Sequence, residues 1–164
     1  MSQNDTRGSR QAAPAALAAS GGRGLRINSF SAAAMLLIEY GLGIWVNLYA
    51  KIPASDHGKG TFAAFGAAVA DGPVGLAVHA VLGTLLLVTA IALIVRAAWV
   101  RNTATTVIGA IAFLAVAAAW LSGTRFVGDA ADGASFGMAI ATGVALLSYV
   151  IILFVPGLAG GPDR

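Results

Sequence analysis

The chain has no cysteine. That excludes disulfide staples, a thiolate nucleophile, and zinc or iron–sulfur sites ligated by cysteine. Charge is nearly as scarce: Asp, Glu, Lys and Arg make up 10% of the 164 residues, against roughly 25% in ordinary soluble domains. Catalytic signatures are missing as well. There is no Gly-x-Ser-x-Gly elbow, no Walker pattern and no His-Glu-x-x-His, so hydrolytic and nucleotide-driven chemistry has no support and a non-enzymatic protein is expected. Asp56, His57, Asp71, Asp129 and Asp132 could in principle hold a hard cation. They lack calcium-loop or zinc-type spacing, and the plain reading is solvated loop residues with no metal.

What is abundant is apolar sequence. Hydrophobic residues make up 58% of the chain, and they gather in four runs: Phe30 to Ala50, Val74 to Val95, Ala104 to Leu121 and Ser135 to Val155. A helix rises roughly 1.5 Å per residue, so about 20 apolar residues cover a hydrocarbon core of roughly 30 Å. The third run is the shortest. The expected fold is an all-α membrane protein, a bundle of four transmembrane helices over residues 27–157. Twenty-one glycines are a liability for helices in water, but small residues let membrane helices approach closely.

The sparse charges orient the bundle. Arg7, Arg10, Arg23 and Arg26 precede the first run, and Arg96 and Arg101 flank the turn between the second and third. The other connections carry Lys51, Lys59 and Arg125, offset by Asp56, Asp71, Asp129 and Asp132. The positive-inside rule then predicts both termini in the cytoplasm. Orientation also accounts for the net charge of +3 without a nucleic-acid partner. Residues 1–26 read by composition as a disordered cytoplasmic tail, and 158–164 as a second short one. Ala12 to Ser20 has a faint signal-peptide look but is too weakly apolar, so the first span is expected to act as an uncleaved anchor. Trp99, Trp45, Tyr49 and Trp120 fall near the ends of their runs, as interfacial aromatics should. Between the first two runs, Thr61 to Ala70 predicts a short outer interfacial helix with Phe62, Phe65 and Val69 on one face. An ordered loop filling the top of the bundle is the plainer reading of that segment.

Polar residues inside the runs are the candidates for activity. Glu39 lies near the middle of the first, where a charge costs roughly 2.5 kcal/mol or more. Glu39, Gly43 and Asn47 recur at four-residue steps and share a face that must point inward. Desolvation there favours a neutral acid tying helices together; the functional reading is a proton or cation relay. His79 lies about four residues into the second run, with Gly75 and Gly83 one turn away on either side. Those glycines leave room for a close helix or a flat macrocycle. In the fourth run Ser135, Met138, Thr142 and Tyr149 form a polar-tinged stripe, and Met138 is expected at the level of His79. Haem b held by His79 and Met138 is therefore one reading, and a lone packing histidine is the other. Gly109, Ala112, Val116, Ala119 and Ser122 give the third run a small-residue face.

The segment from His79 to Gly83 resembles the His-x-x-Leu-Gly segment of membrane b-type cytochromes over about one turn of helix. More broadly, Asn47-Leu48-Tyr49, Ile52-Pro53, Asp71-Gly72-Pro73, His79 to Gly83, Arg96-Ala97 and Ser135 to Ala139 together resemble a group of small, uncharacterised four-helix membrane proteins of actinobacteria. That resemblance implies the plasma membrane and no particular activity. Three functions stay open: an accessory or structural membrane subunit, a haem-binding electron carrier using His79, and a minimal proton or ion conductor using Glu39. The partners expected are the bilayer and another membrane protein or a second copy, for which Ala139 and Gly143 offer a small-xxx-small pair.

Overall fold

The computed structural model describes residues 4–51, 56–129 and 132–155, with side chains described from residue 21 and not at 129 or 132. Five helices follow in order: α1 (Asn4–Tyr49), α2 (Thr61–Ala70), α3 (Val74–Val100), α4 (Thr103–Asp129) and α5 (Asp132–Leu153). Four stretches, Gly21–Tyr49, Val74–Val100, Thr103–Gly128 and Gly133–Leu153, are long and apolar enough to cross a membrane. The four long helices form a ring in which α1 packs on α3, α3 on α4, α4 on α5 and α5 on α1, while α2 lies across α3 and α4 at one end.

All four long helices overrun the apolar runs that announced them, α1 and α4 by the most. The helix α4 continues from Leu121 to Asp129, although polarity rises there. It continues because Val127 is buried with Ala64 and Ala68 beneath α2, and the Gly58 N–H donates to the Gly128 carbonyl. Nor does the packed part of α1 begin at Phe30. Leu25 and Ser29 are fully buried, and Gly21 and Gly24 lie against Val100 and Arg96 of α3. The tail boundary at residue 26 therefore falls inside the packed bundle, and the helix itself reaches back to Asn4. Hydropathy missed this because the arginines between the packing positions lower the average. Arg23, Arg26, Arg96 and Arg101 are all exposed at this end, opposite α2.

The turn from α3 to α4 is built by two residues. Arg101 takes a left-handed conformation with φ 56°, and the Asn102 side chain accepts the Thr105 N–H at 3.0 Å, capping α4. At the other end, Pro73 starts α3 without an N–H to lose, and its carbonyl accepts from Leu76 and Ala77. The short helix α2 does form, but it buries Ala64, Ala67 and Ala68 and leaves Phe62 outside. Alanines win that face because α4 comes very close: the Gly58 N–H donates to the Gly128 carbonyl at 2.6 Å. A Cβ on Gly128 would stand 2.8 Å from the Lys59 carbonyl oxygen.

The interior holds two apolar clusters. The larger joins Leu36, Leu86, Leu93, Val116 and Ile152 with many alanines, and the smaller joins Val46, Ala64, Ala68, Leu76 and Val127 under α2. Large apolar side chains such as Leu37, Ile38, Leu48, Val88, Leu114 and Leu147 point outward on every long helix. That outward apolar belt is the reverse of what water selects. Ala139 and Gly143 belong to it, and a Cβ on Gly143 would meet nothing within 4 Å.

Candidate functional site

Between the two clusters the helices bring an acid and an imidazole together. Nδ1 of His79 on α3 lies 2.9 Å from Oε1 of Glu39 on α1. The contact lacks the alignment of a full hydrogen bond, and Oε2 of Glu39 is buried without a partner among the described residues. Glu39, the only glutamate in the chain, is 8% exposed.

Glycines on both helices make the approach possible. The Trp45 ring occupies the space beside Gly75, where a Cβ would collide with it. Gly43 faces the imidazole, with its missing Cβ 3.1 Å from Cε1 of His79, and Gly83 faces the carboxyl, with its missing Cβ 3.2 Å from Oε1 of Glu39. The three contacts step along α3 at 75, 79 and 83 while they descend α1 through 45, 43 and 39. Depth counted from the run ends separates Glu39 from His79, because it assumes that α1 ends level with the start of α3. In fact Gly75 sits opposite Trp45, so the last turn of α1 extends past α3, and Glu39 reaches the histidine.

The two residues border two spaces. A cavity of about 80 Å³ lies toward α2 and α4, lined by Leu36, Glu39, Phe65, His79, Trp120, Met138 and Thr142 among others. That is the volume of only a few water molecules. On the other side a groove of about 400 Å³ runs between α1 and α5, lined by Glu39, Tyr40, Gly43, Ile44, Asn47, His79, Ser135, Phe136, Met138, Ala139 and Thr142. Apart from Glu39 and His79, Tyr40 is the only titratable residue lining either space among the described residues.

The structure thus brings Glu39, His79, Met138, Thr142 and Asn47 to one place and leaves Tyr149 elsewhere. The Ser135 hydroxyl donates to Oδ1 of Asn47 at 3.2 Å, tying α5 to α1 at the groove. Thr142 spends its hydroxyl on the Met138 carbonyl at 2.8 Å. Tyr149 is fully buried in the larger apolar cluster and borders neither space. His79 and Met138 do share both linings, but the room beside the imidazole that a macrocycle would need is taken by Trp45 and Glu39. His57, the other histidine of the chain, is exposed in the turn before α2 and borders neither space. Among the described residues no three His, Asp or Glu side chains gather to hold a metal ion.

Trp120 does not sit at a helix end. Its Nε1–H donates to Thr84 on α3 at 3.1 Å, and its ring stacks at 5.6 Å from Phe65 and 6.5 Å from Phe62. With α2 it roofs the small cavity. The unbroken length of α4 is what leaves Trp120 inside. The acid–imidazole pair also had a signal: glycines four residues either side of His79 and four after Glu39 are complementary notches on two helices. No family model, no curated protein and no solved structure matches the chain.

Proposed function

We propose that the chain is a multi-pass plasma-membrane protein with both termini cytoplasmic, an accessory membrane subunit whose working element is a proton-exchanging site made by Glu39 and His79. The outward apolar belt supports the membrane setting. The four exposed arginines at the end opposite α2 support the orientation by the positive-inside rule.

The observation that carries the functional reading is the 2.9 Å approach of His79 to Glu39, with Oε2 of the same carboxyl left unpartnered. An ionisable group at membrane depth is expensive, and a purely structural tie would use all its hydrogen-bonding capacity. The small cavity is roofed by α2, but the groove reaches Asn47, which is exposed near the α2 end. Toward the arginine end, Leu36, Leu86 and Val116 close the small cavity and continue into the larger apolar cluster. The pair therefore exchanges its proton with the α2 side and does not conduct it across.

Infrared difference spectroscopy in sealed proteoliposomes tests this. A carboxyl band that Glu39→Gln abolishes should follow the pH on the α2 side alone. A band that never titrates, or one that follows the arginine side, refutes the proposal.

A further inference from the structure

The groove between α1 and α5 is a site that proton exchange alone leaves unexplained. Its volume of about 400 Å³ falls in the range of small-molecule sites. Its belt side is apolar and exposed, through Ile44, Phe136 and Ala139, while Asn47, Ser135 and Thr142 make the rest of its lining more polar. Its floor carries Glu39 and His79. We infer that this groove binds a lipophilic organic ammonium, entering sideways from the bilayer and docking its N–H on the Glu39 carboxylate; the inference rests on the proton-exchange reading above.

The argument is charge complementarity at a built site. Glu39 offers a buried carboxylate oxygen that no described donor fills. Among the described residues no lysine or arginine lines the groove, so an acid ligand finds no counter-ion there and a neutral alcohol supplies no charge to offset ionisation of Glu39. A protonated amine supplies both the charge and the donor. Tyr40 and Phe136 on the walls are of the kinds that stabilise an ammonium by cation–π attraction. The tail of such a ligand stays in the lipid, which replaces any need for a deep pocket. Proton balance follows directly. The ammonium keeps its own protons, and the pair releases one as Glu39 becomes the counter-ion.

The test uses the full chain in lipid nanodiscs with three probes of equal chain length: dodecylamine, dodecanol and dodecanoate. Dodecylamine should bind saturably, at least about tenfold more tightly than the other two, and release about one proton per molecule bound, as expected for one acid becoming a counter-ion. Glu39→Gln should lose both the saturable binding and the proton release. Ala139→Phe, which fills the groove on the belt side, should lose the saturable binding. Equal binding of dodecanol, undiminished binding in either variant, or binding without proton release overturns the inference. An amine that fails to bind while the carboxyl band still titrates removes this inference and leaves the proton-exchange reading standing.

Discussion

Gly43→Ala is the most informative small perturbation of the site. A Cβ there stands 3.1 Å from Cε1 of His79, inside the ordinary carbon–carbon contact of about 3.5–4.0 Å. The imidazole must yield by about 0.5 Å to restore contact. Because Nδ1 is on the same ring, its 2.9 Å approach to Glu39 is disturbed by a similar amount. Replacing glycine in a helix gains about 0.5–1 kcal/mol, and overpacking a tight site costs about 1–3 kcal/mol. The net expectation is a loss of roughly 0–2.5 kcal/mol. Gly41 provides the control, since a Cβ there meets nothing within 4 Å; Gly41→Ala should be neutral or stabilising by up to about 1 kcal/mol. Denaturant titration of both variants in bicelles, with infrared detection of the Glu39 carboxyl, reads both consequences. Equal stability changes in the two variants, with the carboxyl band unshifted in Gly43→Ala, would refute the claim that Gly43 exists to admit the imidazole.

Other expectations follow from the contacts around the site. Trp120→Phe removes the donor to Thr84 but keeps the aromatic stack, so unfolding titration should register a loss of about 0.5–1.5 kcal/mol; no loss means that the bond contributes nothing. Gly128→Ala pushes a Cβ to 2.8 Å from the Lys59 backbone oxygen, an atom that cannot swing aside. It should cost about 1–3 kcal/mol and shift Trp120 emission to the red as α2 lifts; an unchanged spectrum counts against α2 as the roof. The chain has no native cysteine, so single cysteines report orientation cleanly. In intact cells His57→Cys should react with an impermeant thiol reagent and Arg101→Cys only after permeabilisation, and the reverse pattern inverts the proposed topology.

How much was legible in the sequence depended on range. Four long apolar runs and the α2 segment at Thr61–Ala70 needed only local periodicity and length. Helix ends were harder, because α4 past Leu121 and α1 before Phe30 are held by contacts with α2 and α3 that no local average contains. The inner face of α2, made by Ala64, Ala67 and Ala68, depends on the close approach of Gly128 on α4, which no local pattern contains, while Phe62 stays exposed. Glu39, His79, Met138, Asn47 and Thr142 were each visible as polar or ligand-capable residues in apolar surroundings. Their grouping was only partly visible, since pairing Glu39 with His79 requires the one-turn offset of α1 against α3. That offset is set by Trp45 lying on Gly75.

The account stands or falls on whether Glu39 and His79 act as one unit, and a double-mutant cycle measures this directly. Glu39→Gln, His79→Ala and the double variant should be compared with the parent chain in one bicelle composition. Groups in contact at 2.9 Å should show a coupling energy of about 0.5–3 kcal/mol, with the double variant losing less than the two single losses added together. Strict additivity, within about 0.3–0.5 kcal/mol, would contradict the pair and the function built on it.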